Sequence, residues 1–275
     1  MTTPRRAAPE RPAYTLTRIP RNRQPVLDRL ISARRRFQVH ALLEVDVTEA
    51  KARIVDSDHR ISWTGFVIAT IGRAVALHPE VNARKAGNRI LVFDRVDIGA
   101  TVERQWQGHA MLDVATIRDA DRRSGTEISE LLHEAKVGRA RPVSPSGWMA
   151  GLSKLPGPLR RTAFRVAATT PRAACRLGPA VGVTSIGMYS SGWGWAVPLA
   201  PLTLIATVGE VMDRPVVYEG RVVARPLLPI TLSFDHAVID GAPAARFTAA
   251  FRSLAETAVA LDDPRRTAVQ PPGHS

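Results

Sequence analysis

An α/β fold, with a mixed sheet flanked by helices, is the architecture that this chain of 275 residues predicts. Segments of helical periodicity alternate with β-rich segments, without the strict strand–helix–strand rhythm of a parallel sheet. Hydrophobic residues make up 45% of the chain, which suffices for a substantial core, and a single cysteine excludes a disulfide scaffold. We therefore expect one α/β two-layer sandwich over residues 18–261, between a flexible basic tail at 1–17 and a second flexible tail at 262–275.

The first part of the chain predicts helices on either side of a strand. Apolar side chains at helical spacing predict a helix over residues 24–36, and the β-rich run 39–47 predicts the first strand. Thr48 is placed to cap the short helix that follows. A longer helix is predicted over residues 63–77, and it ends before Pro79 because proline disfavours helical backbone in the residue preceding it.

Strands predominate in the rest of the chain. Ser124 is placed to cap a helix, and Gly241 opens a final helix over residues 242–261. Gly220 marks a hairpin turn between two short β-rich runs. The other predicted strands are 89–93, 96–103, 111–117, 181–187, 202–211 and 228–234.

Residues 138–180 differ in composition from the rest, because they hold several prolines and a cluster of basic residues. Within them, the spacing of Leu159, Ala163, Val166 and Ala167 predicts a short basic amphipathic helix. Such a helix contacts a membrane or a partner in some proteins and packs as a surface lid on its own domain in others. We favour the lid.

The formal net charge is +13, from 38 Lys and Arg residues against 25 Asp and Glu. This surplus fits a polyanionic partner, such as nucleic acid, an anionic membrane surface or a phosphate-bearing small molecule, and it also fits a biased genome composition. No helix-turn-helix, RNA-recognition or zinc pattern is present, so we expect no nucleic acid partner and no metal site. No run approaches the roughly 20 apolar residues of a membrane span, and no secretory signal is evident, so we expect a cytoplasmic protein.

The sharpest local signal is a histidine, His236, at the end of a β-rich run. Asp240 follows four positions later, and Gly241 then permits a sharp turn into the final helix. A strand end exposes a side chain to a cleft while the backbone stays rigid. A neutral imidazole in such a place deprotonates a thiol or a hydroxyl near physiological pH. The spacing alone also fits a histidine held by local hydrogen bonds in a loop.

The residues around this histidine carry a family resemblance. The run 229–247, PITLSFDHAVIDGAPAARF, closely resembles the active-site signature of dihydrolipoamide acyltransferases, the acyltransferase components of 2-oxoacid dehydrogenase complexes. Chloramphenicol acetyltransferase shares the fold and the shorter HxxxDG core. Further blocks resemble the family at residues 44–48, 66–83, 96–99 and 117–121.

The resemblance implies a chloramphenicol acetyltransferase-like fold and a homotrimer, or a larger assembly of trimers, whose subunit interface forms the active site. It also implies transfer of an acyl group between coenzyme A, as co-substrate, and a thiol or other small acceptor. His236 is then the general base that takes the thiol proton. Thr184, in the run GVTSIG at residues 182–187, then supplies the hydroxyl that stabilises the oxyanion.

The resemblance assigns Asp240 a structural role, in which it orients the loop that carries the histidine. Arg23 falls where the family places the arginine that pairs with such a carboxylate, and Arg18 is the alternative. Gly241 completes this support. A hydrophobic channel for the pantetheine arm is also expected, with basic residues at its mouth to meet the phosphates.

Four further residues are candidates for the substrate pocket: Ser185, Ser233, Trp193 and Trp195. The two tryptophans stand where smaller residues are usual in the family, and Ala237 replaces the family's arginine, which leaves the substrate open. No lipoyl domain is recognisable in the sequence. We therefore expect no covalently bound lipoyl group on this chain, and an acyl group that comes from a separate lipoyl-bearing protein or goes to a different acceptor.

Two interpretations follow from these residues. The first is a stand-alone acyltransferase that moves an acyl group between coenzyme A and a thiol, lipoamide-like or other small acceptor. The second is a catalytically degenerate relative that keeps the fold as a scaffold or partner-binding module. A third interpretation, nucleic-acid binding, rests on the charge alone, because no nucleic-acid-binding motif is present in the sequence.

Overall fold

The computed structural model describes residues 15–16, 24–34, 36–58, 60–106, 109–138, 155–187, 192 and 194–262. Its helices are α1 (Gln24–Ala33), α2 (Thr48–Asp56), α3 (Trp63–Leu77), α4 (Gly125–Lys136), α5 (Gly157–Thr169), α6 (Pro171–Ala174) and α7 (Gly241–Glu256). Its strands are β1 (Gln38–Asp46), β2 (Ala83–Ala86), β3 (Arg89–Val92), β4 (Ile98–Trp106), β5 (His109–Ile117), β6 (Val181–Ser185), β7 (Leu204–Val208), β8 (Met212–Tyr218) and β9 (Arg221–Asp235). Short 3₁₀ turns follow at Pro79–Val81, Ala120–Arg122 and Val259–Leu261.

Seven strands form one mixed sheet in the order β1–β9–β7–β6–β4–β5, and β8 pairs with β9. The pairs β4–β6 and β6–β7 are parallel, whereas β9 is antiparallel to β1, β7 and β8. The first half of β9 forms a hairpin with β8, and its second half lies between β1 and β7. The predicted α/β fold with a mixed sheet is therefore confirmed.

The hydrophobic core lies between one face of the sheet and helices α3, α4 and α7. Alternate residues of β9 point into it, among them Leu232 and Phe234, because successive side chains of a strand face opposite sides. Phe234 meets Phe247 of α7 edge to face, with ring centroids 5.8 Å apart. Burial of such a side chain contributes roughly 1.5–3 kcal/mol. Helix α3 is apolar on all sides because it lies at the centre of this layer.

The opposite face of the sheet carries polar side chains that are also buried. On β9 these are Thr231, Ser233 and Asp235, which alternate with the core residues. The segment 194–203 runs along β1, where Trp195 Nε1 donates to the Leu43 carbonyl at 2.9 Å. The sheet therefore buries an apolar face and a polar face.

Two of the predicted helix ends differ from the structure. Thr48 is the first residue of α2 and not its cap, because its hydroxyl and its backbone N–H both donate to Asp46 Oδ1, at 2.6 and 2.9 Å. The final helix ends at Glu256, because Ala258 takes a left-handed backbone conformation with φ of 53°. The predicted capping of α4 by Ser124 is present as a complete capping box with Glu127.

The described part of the 138–180 segment packs on the domain. Arg160 of α5 lies 2.5 Å from Asp28 of α1, and both side chains are about nine-tenths buried. The predicted apolar side of this helix is divided: Ala167 is buried, whereas Leu159 and Val166 are each 60% exposed. The physical reason is that the Arg160 ion pair, and not an apolar stripe, sets which side faces α1. No helix in the described ranges is long and apolar enough to cross a membrane.

Replacing Asp28 by Asn should release α5 from α1, because it removes the carboxylate charge that pairs with the buried Arg160 guanidinium. We expect limited trypsin digestion at Arg165 to become about tenfold faster, since local opening governs cleavage. Asp56→Asn, at the exposed end of α2, is the control and should leave the rate unchanged. Digestion of both variants at the parent rate would show that the ion pair does not hold the helix.

Candidate active site

His236 lies immediately after β9, at the edge of the molecule. Its backbone N–H donates to the Phe37 carbonyl at 2.6 Å, which ties the loop to the residue preceding β1. The side chain is 45% exposed, and Nδ1 lies 3.4 Å from Asp240 Oδ1. A rigid backbone therefore presents an accessible imidazole with a carboxylate beside one ring nitrogen.

Asp240 occupies the N-cap position of α7 but makes no capping hydrogen bond. Its side chain is 85% exposed, so its contact with His236 lies in solvent. Arg23, the predicted partner of Asp240, lies outside the described residues, and so does the alternative Arg18. The described contacts of Asp240 are thus with the imidazole itself.

The buried anchor of the histidine loop is Asp235. Its side chain is 3% exposed and pairs with Arg36 Nη1. Its Oδ1 accepts the Ala237 N–H at 3.2 Å, and its carbonyl accepts the N–H groups of Val238 and Ile239 at 2.9 and 3.0 Å. The turn that carries His236 is therefore built around one buried carboxylate and its arginine.

Arg36 and Asp235 were not among the residues that the sequence singles out. The sequence does hold a signal for Asp235, because a carboxylate at the end of an otherwise apolar strand is expected to be buried and to need a cation as its partner. The pairing of β1 with β9 then identifies Arg36, which precedes β1 and lies opposite the end of β9.

Gly241 does not make the turn possible in the way that the sequence suggests. Its φ is not in the left-handed region, and a Cβ at this position would meet nothing within 4 Å. The turn is completed before Gly241, within the hydrogen bonds that Asp235 accepts. Gly241 instead begins α7 and borders a groove.

That groove lies between β1 and α7 and has a volume of about 480 Å³. It is lined largely by small or apolar side chains, with Arg252 among them. Val39, Ala41 and Leu43 contribute from β1. Its lining suits an apolar group.

Thr184, the candidate oxyanion donor, lies near the end of β6 and is half-buried. It pairs in register with Thr207 of β7, so both side chains lie on the polar face of the sheet. Ser185 is paired with Val208 and lies on the opposite, helix-covered face. The structure therefore separates these two neighbours, as strand geometry predicts.

The other predicted pocket residues are occupied elsewhere or lie outside the described residues. Ser233 is fully buried, and its Oγ lies 2.8 Å from His40 Nδ1. Trp195 is bound to the β1 backbone through its indole nitrogen. Trp193 lies outside the described residues.

One chain does not bring His236 and Thr184 together. Thr231, which shares a row with Thr207 and Thr184, precedes His236 by five positions on β9. Five extended residues and two strand spacings place the Cα atoms of Thr184 and His236 about 19 Å apart. Both side chains can act on one carbonyl group only if a second copy of the chain supplies one of them.

The segment that leads into β6 is held by a buried arginine. Arg84 of β2 donates to the carbonyls of Ala174, Gly178 and Pro179 at 2.7–3.0 Å. Burial lowers the pKa of Arg84 to about 10, and the positive charge of Arg36 acts in the same direction. Among the described residues, no group of three or more His, Cys, Asp or Glu side chains could hold a metal ion.

Replacing Asp235 by Asn should lower the free energy of unfolding by at least about 2 kcal/mol, because it leaves the Arg36 charge without its buried partner. Asp240→Asn is a matched control in the same loop and should change that free energy by no more than about 0.5 kcal/mol, since its side chain is exposed. Urea unfolding of the two variants measures both values. Equal stabilities would refute the anchoring role of Asp235.

Comparison with known proteins shows the family. The family model for 2-oxoacid dehydrogenases acyltransferase (catalytic domain) matches residues 24–147 and 173–261. The acetyltransferase component of the pyruvate dehydrogenase complex of Zymomonas mobilis is 25% identical over 248 residues, with 86% of this chain and 48% of that protein covered. The succinyltransferase component of the 2-oxoglutarate dehydrogenase complex of Rickettsia typhi is 29% identical over 192 residues, with 70% and 40% covered.

The chain therefore spans about half the length, or less, of the curated relatives that it matches. A solved structure of dihydrolipoamide acetyltransferase from Azotobacter vinelandii superposes with a TM-score of 0.66 at 22% identity, and covers 92% of this chain and 99% of that one. That likeness shows the fold. With the match of the family model over most of its length, the chain belongs to the family of 2-oxoacid dehydrogenase acyltransferase catalytic domains.

Proposed function

We propose that the chain is an acyltransferase that moves an acyl group between coenzyme A and a thiol or other small acceptor, with His236 as the general base. The observation that carries this proposal is the presentation of His236. Its backbone is fixed to Phe37, its ring is accessible, and a carboxylate lies beside Nδ1. In a chain of this family, that arrangement suits proton transfer at the other ring nitrogen.

Asp240 fixes which nitrogen is basic. Its carboxylate lies 3.4 Å from Nδ1 and so favours the proton on that nitrogen, which leaves the lone pair on Nε2. Nε2 then takes the proton of the attacking thiol as sulfur forms its bond to the thioester carbonyl carbon. When the original carbon–sulfur bond breaks, the imidazolium returns the proton to the leaving thiolate. Asp240 stabilises the imidazolium between these steps.

Thr184 of a neighbouring copy supplies the hydroxyl that stabilises the negative charge on the carbonyl oxygen. The separation of about 19 Å within one chain supports a site shared between two copies. A head-to-tail interface repeats such a site around a closed ring, and a trimer is the ring that the family resemblance implies.

The Azotobacter vinelandii structure adds support for these assignments. It belongs to a study of the role of a serine, a histidine and an asparagine in the catalytic mechanism of that enzyme. In that protein the histidine follows the serine by the same number of positions as His236 follows Thr184, and the asparagine follows the histidine as Asp240 follows His236. This equal spacing supports the proposal that the Thr184 hydroxyl and the Asp240 carboxylate correspond to that serine and asparagine.

The groove between β1 and α7 is the candidate channel for the extended arm of the substrate. It begins at Gly241, beside the histidine loop, and Arg252 lies among its lining residues, where a guanidinium can meet phosphate. A separate lipoyl-bearing protein is the proposed source or destination of the acyl group. The protein is proposed to act in the cytoplasm.

Acyl exchange between acetyl-, propionyl- or succinyl-coenzyme A and dihydrolipoamide tests the proposed activity. We expect His236→Ala to lower kcat by at least about 100-fold, the low end for a general base. His133→Ala, on the exposed side of α4, is the matched control and should retain the parent rate. Equal rates for parent and His236→Ala would refute the mechanism. Complete inactivity of the assembled parent protein would instead support the scaffold alternative.

Mixed assemblies test whether the site is shared. We expect His236→Ala and Thr184→Val chains to be nearly inactive separately and to regain about a quarter of the parent activity when co-expressed, because random mixing in a ring joins an intact His236 to an intact Thr184 at that fraction of interfaces. Sedimentation of each preparation confirms that assembly is unchanged. Activity that stays at the level of the separate variants would place both residues in one chain's site.

A further inference from the structure

Three threonines form a row across the polar face of the sheet. Thr184 of β6 is in register with Thr207 of β7, and Thr207 is in register with Thr231 of β9. Partners in register on neighbouring strands present their side chains on the same face. The next residue in the row, Leu42 of β1, is apolar. The row of hydroxyl groups therefore runs from Thr231 to Thr184 and ends at Leu42.

The two inner members of this row are buried hydroxyls without a partner. Thr207 is 3% exposed and Thr231 is 0% exposed, and neither Oγ1 has a hydrogen-bond partner among the described residues. Leaving such a group unpaired is destabilising, because it has lost its hydrogen bonds to water without gaining others. Other buried hydroxyls of the chain are paired: Ser233 with His40, Thr70 with the Phe66 carbonyl, Thr203 with the Ala83 carbonyl and Ser129 with the Gly125 carbonyl.

Within the described part of the chain, the structure shows no hydrogen bond from the Thr207 or Thr231 hydroxyl, but the spacing of the sheet allows facing threonines to reach one another. Neighbouring strands lie about 4.8 Å apart, and rotation about χ1 brings Oγ atoms of facing threonines within the roughly 2.7–2.8 Å of an O–H···O hydrogen bond. Thr184 is the half-buried end of the row, so a chain of hydroxyls leads from the interior of the sheet to the candidate oxyanion donor.

We propose that Thr207 is a positioning residue for Thr184. In the proposed relay, rotation about χ1 lets the Thr231 hydroxyl donate to Thr207 Oγ1 and the Thr207 hydroxyl donate to Thr184 Oγ1. A hydroxyl has a single hydrogen, so a Thr184 that accepts from Thr207 must direct its own hydrogen away from the row and toward the substrate oxygen. Successive hydrogen bonds also polarise one another, which strengthens the terminal donor. This inference rests on the proposed role of Thr184.

Substitution of Thr207 separates this role from a structural one. We expect Thr207→Val to lower kcat about tenfold with little change in KM, and Thr207→Ser, which keeps the hydroxyl, to restore most of the rate. The free energy of unfolding should fall in Thr207→Val, because the buried Thr231 hydroxyl loses its acceptor, so the rescue of kcat by Thr207→Ser is what separates positioning from stability. Thr70→Val, which removes a buried hydroxyl from α3, is the control and should leave kcat unchanged.

A double-mutant cycle gives the decisive measurement. In a Thr184→Val background, which should itself lower kcat by about 100-fold or more, Thr207→Val should cause no further loss. A parent-like kcat in Thr207→Val, or an equal loss with and without Thr184, would overturn the relay. If Thr184→Val keeps the parent kcat while His236→Ala does not, the oxyanion role of Thr184 fails and the relay fails with it. A different result, in which Thr184→Val lowers kcat but Thr207→Val does not, would refute the relay and leave the oxyanion role of Thr184 intact.

Discussion

The pairing of Asp235 with Arg36 is the interaction on which the candidate site depends. A carboxylate that is 3% exposed has lost its hydration, and a guanidinium together with a backbone N–H replaces it. The same residue receives two backbone N–H groups from the turn that follows. One buried charge thus joins the start of β1 to the end of β9 and determines where the imidazole of His236 lies.

The length and position of β9 explain why His236 and Thr184 lie far apart within one chain. Its second half lies between β1 and β7, so the histidine at its end is carried away from the row that contains Thr184. The sheet cannot shorten this separation without a change of register, and a shift by one residue would move Leu232 and Phe234 out of the core. The burial of these side chains therefore fixes the distance between His236 and Thr184 within one chain.

The sequence predicts this fold well where a signal is local. Three signals each lie within a short stretch of sequence: the capping box at Ser124, the apolar run of α3 and the alternation along β9. The structure also confirms the mixed sheet. The features that it does not predict join distant residues: Arg36 with Asp235, and the register that aligns Thr184 with Thr207. For the site, the motif identifies His236, whereas its anchor becomes visible only when two distant strands are paired.

Part of the surplus of positive charge has a structural role. Arg36 neutralises Asp235, Arg160 meets Asp28, and Arg84 is bound by three backbone carbonyls. These three guanidiniums are mostly or almost wholly buried, so they hold loops and helices to the sheet and do not form a surface for a polyanion. Arg84 is the costliest of them, since no carboxylate in the described part of the chain offsets its burial and its pKa falls to about 10. Its hydrogen bonds to carbonyls that precede β6 offset part of this cost, and they hold the entry to the strand that carries Thr184.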